Sequence, residues 1–157
     1  MKKSQNGWTA SSHQALIGIK IFTVPGTDRK MRLQKDAGKI LVAFAGEFHA
    51  QVEPIDEGVF DDWAYAYREV RGSDTDLSNH SSGTAIDLNA TKHPLGMSNT
   101  FTKQQVKIIR ELTEKYGLKW GGDYTKRKDE MHWEIVETPD QVKERIKNMK
   151  LKGVKNG

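Results

Sequence analysis

Thr84-Ala85-Ile86-Asp87-Leu88 is a strand-like run with a carboxylate set inside it, and that carboxylate restricts what the chain can fold into. In a strand, Ala85 and Asp87 share one face while Ile86 and Leu88 point the other way, into a core. A buried carboxylate without a partner costs several kcal/mol, so the fold has to bring a cation to Asp87. A metal ion or an arginine would serve. His80 lies seven positions upstream, in Ser78-Asn79-His80-Ser81-Ser82-Gly83. Gly83 lets that turn swing back, so the imidazole and the carboxylate can meet at one point.

A second half of the pattern follows in Asp129-Glu130-Met131-His132-Trp133-Glu134. As a strand it puts His132 and Glu134 on one face, with Met131 and Trp133 anchoring the other. Two imidazole nitrogens and one carboxylate, with a fourth position open to water, make a catalytic zinc set. Asp129, three positions before His132, can reach the open side of such a metal as a general base. Charge developing on an attacked carbonyl needs a cation, for which Arg71 is the candidate, with Arg68 behind it. The pattern is that of a hydrolase. Taken singly, either histidine has a plainer reading as a hydrogen-bonded structural residue; the conjunction carries the inference. Glu134 is expected in a structural salt bridge rather than as a fourth ligand or base, and Glu130 faces solvent. His93, in the turn Lys92-His93-Pro94-Leu95-Gly96, is a candidate for substrate contact. So is Trp120, in Trp120-Gly121-Gly122-Asp123-Tyr124, though it serves equally as a core residue. His13 and His49 receive no role.

With 157 residues the chain is long enough to bury a single core, and no repeat or linker divides it. One domain over 1–157 is expected, with its core at about 17–150. The absence of cysteine excludes thiolate ligands and disulfides. The net charge of +4 resides in a C-terminal helix and tail, 139–157. Lys143, Arg145, Lys147, Lys150, Lys152 and Lys155 there face only Asp140 and Glu144. Such a segment favours an anionic cell-wall polymer or is simply a solvated face. No aromatics interleave the charges, so nucleic acid is not expected. The N-terminus lacks the apolar stretch of a secretion signal and no run approaches a membrane span, so a cytoplasmic origin without membrane contact is expected, as a monomer.

Residues 1–16 read as irregular. Strands are expected over 17–24, 52–55, 63–70, 84–88, 118–120 and 131–136. Asp36 caps a helix running to about His49, with Ile40, Phe44 and Phe48 on one face. Thr102 and Gln105 form a capping box for a second helix that Gly117 ends. Thr138 and Pro139 start a third. Helices and short strands without βαβ alternation predict an α+β fold with a mainly antiparallel central sheet.

Ser78-x-His80-x-x-Gly83-x-Ala85-x-Asp87 followed by Asp129-x-x-His132 resembles the zinc peptidases that include D-alanyl-D-alanine carboxypeptidases, D,D-dipeptidases and phage L-alanyl-D-glutamate endolysins. The resemblance spans about residues 36–136. It implies Zn2+ held by His80, Asp87 and His132, Asp129 as base, Arg71 beside the oxyanion and Ser78 supporting the site. It also implies the small fold shared with the signalling domain of Hedgehog proteins and, as substrate, the peptide stem of peptidoglycan. An endolysin-type endopeptidase waiting in the host cytoplasm for release through a holin pore is the leading expectation. A D,D-carboxypeptidase of wall remodelling is the near alternative. A non-catalytic, zinc-stabilised wall-binding domain is the rival of another class, and Asp129 argues against it.

Overall fold

The computed structural model describes residues 1–68, 70 and 76–151. A hairpin comes first, β1 (Ile19–Thr23) pairing antiparallel with β2 (Lys30–Gln34) from Ile19 opposite Gln34 to Thr23 opposite Lys30. The expected strand at 17–24 is β1. Its partner was not foreseen, because the buried Met31 and Leu33 alternate with the exposed Lys30 and Arg32 over only five residues.

Helix α1 (Ala37–Gln51) buries Ile40, Leu41, Phe44, Ala45 and Phe48. Asp36 takes the cap position, but its side chain makes no cap bond; the Gln34 side-chain oxygen accepts from the backbone N–H groups of Asp36 (2.7 Å) and Ala37 (2.9 Å) instead. The second sheet has the order β3 (Ala85–Asp87), β5 (His132–Ile135), β4 (Leu118–Trp120), all antiparallel. Helices α2 (Lys103–Tyr116) and α3 (Pro139–Met149) carry the capping boxes Thr102/Gln105 and Thr138/Gln141. Gly117 ends α2 in the left-handed region at φ 67°. The architecture is α+β with antiparallel sheets, as expected.

Trp133 ties the site strand to the core. Its ring lies 5.3 Å from that of Phe44 and 5.2 Å from that of Phe48, both on α1, so the back of β5 is held by aromatic packing. Two expected strands are absent. At 52–55 the N–H groups of Val52 and Glu53 turn back to the Phe48 carbonyl and close α1. Over 63–68 the described residues lie outside both sheets and meet β3 through the bridge between Trp63 and Asp87. The N-terminal segment is more anchored than its polar composition implied. Ser4 bridges to Leu77, and Trp8 is buried with its indole N–H donating to the Glu137 carbonyl. Among the described residues no helix is long and apolar enough to cross a membrane.

Asp61 and Asp62 fix the exit from β3. Asp62 Oδ1 accepts from the Asn89 N–H at 2.8 Å, and Asp61 Oδ2 from the Thr91 N–H at 2.9 Å. The second Asp62 oxygen is buried with no partner, and burial, with Asp61 alongside, pushes the Asp62 carboxyl up to about 6. A folded-state pKa above the unfolded value means that the contribution of Asp62 to stability is most favourable below about pH 4 and is lost as pH rises through 6. Asp62→Asn keeps the acceptor and removes the charge. It is expected to raise stability to urea at pH 7.5 by about 1–3 kcal/mol, a gain that vanishes below about pH 4. An equal effect at both pH values would contradict this.

Candidate metal centre

His80 stands on a tight turn, Asn79–Ser82, whose two ends are fixed by residue type. Ser78 Oγ accepts from the His80 N–H at the start, and Gly83 closes it at φ 70°. Only glycine fits there: a Cβ on Gly83 would lie 2.6 Å from the Gln34 nitrogen and 2.5 Å from Ile19 Cδ1. The hairpin β1–β2 therefore clamps the turn, with the Gln34 N–H donating to the Gly83 carbonyl. His80 Nδ1 donates to the Ala64 carbonyl at 2.6 Å, which can only accept. That leaves Nε2 with its lone pair, buried, without a hydrogen-bond partner and 3.3 Å from Asp87 Oδ1.

The β3–β5 register supplies the rest. Asp87 stands opposite His132 and Ala85 opposite Glu134, while Ile86 and Trp133 pair on the core face. His132 Nδ1 lies 2.9 Å from Asp87 Oδ1, and its Nε2 lies 2.7 Å from Glu134 Oε1. Tyr124 donates its hydroxyl to the same Glu134 oxygen at 2.5 Å. Ligand atoms of His80, Asp87 and His132 all fall within 4.8 Å of one another. Donors about 2.0–2.1 Å from a tetrahedral zinc stand about 3.3 Å apart, close to the separations of His80 Nε2 and His132 Nδ1 from Asp87 Oδ1, 3.3 Å and 2.9 Å. The other nitrogen of each ring is held by a carbonyl or a carboxylate, the usual arrangement for metal-bound imidazole.

The charges agree. Burial would raise the Asp87 carboxyl, but positive charge at His80 and the hydrogen bond with His132 hold it well below the usual carboxylate range; a cation on the His80 Nε2 lone pair would supply that charge as a proton does. Burial would lower His132, yet hydrogen bonds to Asp87 and Glu134 push it up to about 10. Two carboxylates facing one buried point demand positive charge there.

A cavity of about 560 Å³ opens over the three residues and is also lined by Asp129. Gly121 positions that carboxylate: its carbonyl accepts from the Asp129 N–H at 3.0 Å, and a Cβ on Gly121 would meet the Asp129 carbonyl oxygen at 2.3 Å. Asp129 Oδ1 is buried without a partner, and burial, reinforced by the Asp87 charge, raises its carboxyl. A basic, uncommitted carboxylate beside a metal set is fitted to move protons.

Residues 71–135 match the model of the D-alanyl-D-alanine carboxypeptidase family. The match supports a peptidase, in a family of zinc enzymes, and it contains His80, Asp87, Asp129 and His132 together. Neither a curated protein nor a solved structure matches the chain.

Beside the matched motif, the other expected residues divide. Arg71 lies outside the described residues. Arg68 lines the cavity, with Nη2 3.8 Å from Asp87 Oδ2. Ser78 lines it too and caps the His80 turn. His93 does not: it is buried, bonded to Glu53 and Thr100 and stacked on Phe101. Trp120 is a core residue, its indole N–H donating to the Glu130 carbonyl. Glu130 is buried rather than solvent-facing, accepting from the Asn99 and Thr100 N–H groups. The ionic partner of Glu134 is the metal-set residue His132 itself. Tyr124, the last residue of the stretch 120–124 named with Trp120 as a candidate for substrate contact, lines the cavity, and so does Arg127, which carries no spacing signal that points to it.

Glu134 thus orients His132. Glu134→Ala is expected to weaken zinc binding about tenfold to a hundredfold, measured by competition with a chromophoric chelator. Unchanged affinity would show that the contact does not matter to the metal.

Proposed function

We propose that this protein is a zinc-dependent peptidase that cuts the peptide stem of bacterial peptidoglycan, as an endolysin-type L-alanyl-D-glutamate endopeptidase. The observation that carries the reading is the buried, unpartnered Nε2 of His80 turned onto Asp87 and His132, beneath a cavity that also holds the unpaired Asp129. His80, Asp87 and His132 would hold the ion. Zinc there supplies a Lewis acid for the scissile carbonyl and a water of lowered pKa. Asp129 takes a proton from the attacking water and returns it to the leaving amine as the C–N bond breaks. Arg71 faces the oxyanion, with Arg68, close to Asp87 at the cavity wall, behind it. Ala64 and the Glu134–Tyr124 pair keep both rings in register throughout.

Incubation of purified cell wall with the protein is expected to release new amino termini, an activity abolished by chelation and restored by zinc. Release unaffected by chelation, or absent at every zinc concentration, would overturn the reading. The description of the matched family favours D,D-carboxypeptidase action as the second reading. Mass spectrometry of the released fragments separates the two: free D-alanine alone marks the carboxypeptidase.

A further inference from the structure

Arg127 is a cation at the cavity that no described residue neutralises. It lines the cavity, is exposed, and makes no hydrogen bond or ion pair with any described residue. The other described arginines are engaged. Arg32 bonds Gln14, Arg68 approaches Asp87, Arg110 pairs with Asp123, Arg145 with Glu137, and Arg29 lies over the Phe60 ring. Of the carboxylates close to it in sequence, Asp123 is committed to Arg110, Glu130 to Thr100, and Glu134 to His132 and Tyr124, while Asp129, which lines the same cavity, forms no ion pair with it.

Arg127 is also presented from a tied-down support. A Cβ on Gly96 would lie 3.6 Å from Arg127 Nε, so the side chain runs along the Gly96 turn. The Gly96 N–H donates to the Lys128 carbonyl at 2.8 Å, joining that turn to the 126–128 segment. The buried His93, held by Glu53 and Thr100, anchors the same turn from behind. Lys126 and Lys128 flank Arg127 and add to the positive potential at the rim.

A planar guanidinium with free donors, next to a cavity, is complementary to a carboxylate, which it can grip through two parallel hydrogen bonds. We infer that Arg127 is a specificity-determining residue that binds a carboxylate of the peptide substrate, distinct from the group being cut. This rests on the peptidase reading above. That carboxylate belongs either to the chain terminus of the peptide or to its glutamyl residue, and the test separates them.

Three synthetic stem tetrapeptides serve as probes: the free acid, the same peptide amidated at the glutamyl α-carboxylate, and the same peptide amidated at its C-terminus. The zinc-loaded wild type is expected to favour the free acid over one of the amides by about tenfold to a hundredfold in kcat/KM, mainly through KM. Whichever amide loses rate identifies the carboxylate. Arg127→Gln is expected to bring that ratio close to one, Arg127→Lys to leave it partly intact, and Lys126→Gln to preserve it. No preference in the wild type, a full preference in Arg127→Gln, or equal loss in Lys126→Gln would each overturn the assignment. Calorimetric binding of the same peptides to Asp129→Asn separates this from the peptidase reading. A binding preference without cleavage by the wild type sustains Arg127 and removes the peptidase, whereas equal binding of all three peptides removes Arg127 whatever is cleaved.

Discussion

Asp129→Ala is expected to bind zinc as the wild type does, one ion per chain, and to lose about a hundredfold to ten-thousandfold in turnover on purified wall. The two effects separate because Asp129 lines the cavity without belonging to the trio of ligand atoms. Its Oδ1 has no hydrogen-bond partner, so truncation strands no donor. Burial already works against its charge, so the variant should melt no lower than the wild type. Zinc content by atomic absorption, a thermal melt and fragment release then read three consequences of one substitution. A variant that turns over at the wild-type rate would remove Asp129 from the chemistry. One that also loses its zinc would place it among the ligands.

His132→Ala is expected to lose both metal and activity, and stability besides. His132 stands between Asp87 and Glu134, at 2.9 Å and 2.7 Å, on a face from which water is largely excluded. Removing it takes a partner from the buried Asp87 and from the half-buried Glu134, and deleting one partner of a buried pair costs about 3–5 kcal/mol. Zinc affinity should fall by more than the roughly hundredfold loss typical of partners outside the ligand set. Adding Glu134→Gln to His132→Ala takes away one of the stranded charges and should recover part of the lost stability, without recovering zinc. If His132→Ala unfolds in urea at the wild-type midpoint, the two carboxylates do not depend on the imidazole as the geometry implies.

Legibility in the sequence tracked how local the determining interactions are. The capping boxes at Thr102 and Thr138 and the left-handed Gly117 are written within a few residues of themselves, and each appears where its pattern placed it. The convergence of His80, Asp87 and His132 was readable for a related reason. Strand alternation puts Asp87 opposite the core-facing Ile86, and His132 opposite Trp133, so a few residues around each ligand declare its face. What the sequence withheld depends on distant backbone. The group that orients His80 is the carbonyl of Ala64, in a segment outside both sheets whose side chains do not signal it. Strand β2 hides its period of two among charges, and the cap of α1 comes from Gln34, on that strand, in place of the adjacent Asp36. Glu130 looked solvent-facing by alternation alone, yet the loop carrying Thr100 folds over it. Arg127 has no motif at all. Its significance comes from what fails to pair with it.

Anomalous scattering from a crystal soaked in zinc, recorded on both sides of the absorption edge, examines the metal set most directly. One strong peak is expected about 2.0–2.2 Å from His80 Nε2, an Asp87 oxygen and His132 Nδ1, with its open side toward the Asp129 cavity. A peak on His132 Nε2 and Glu134, or no peak at the three residues in zinc-saturated crystals, would contradict the assignment of His80, Asp87 and His132 as one metal centre.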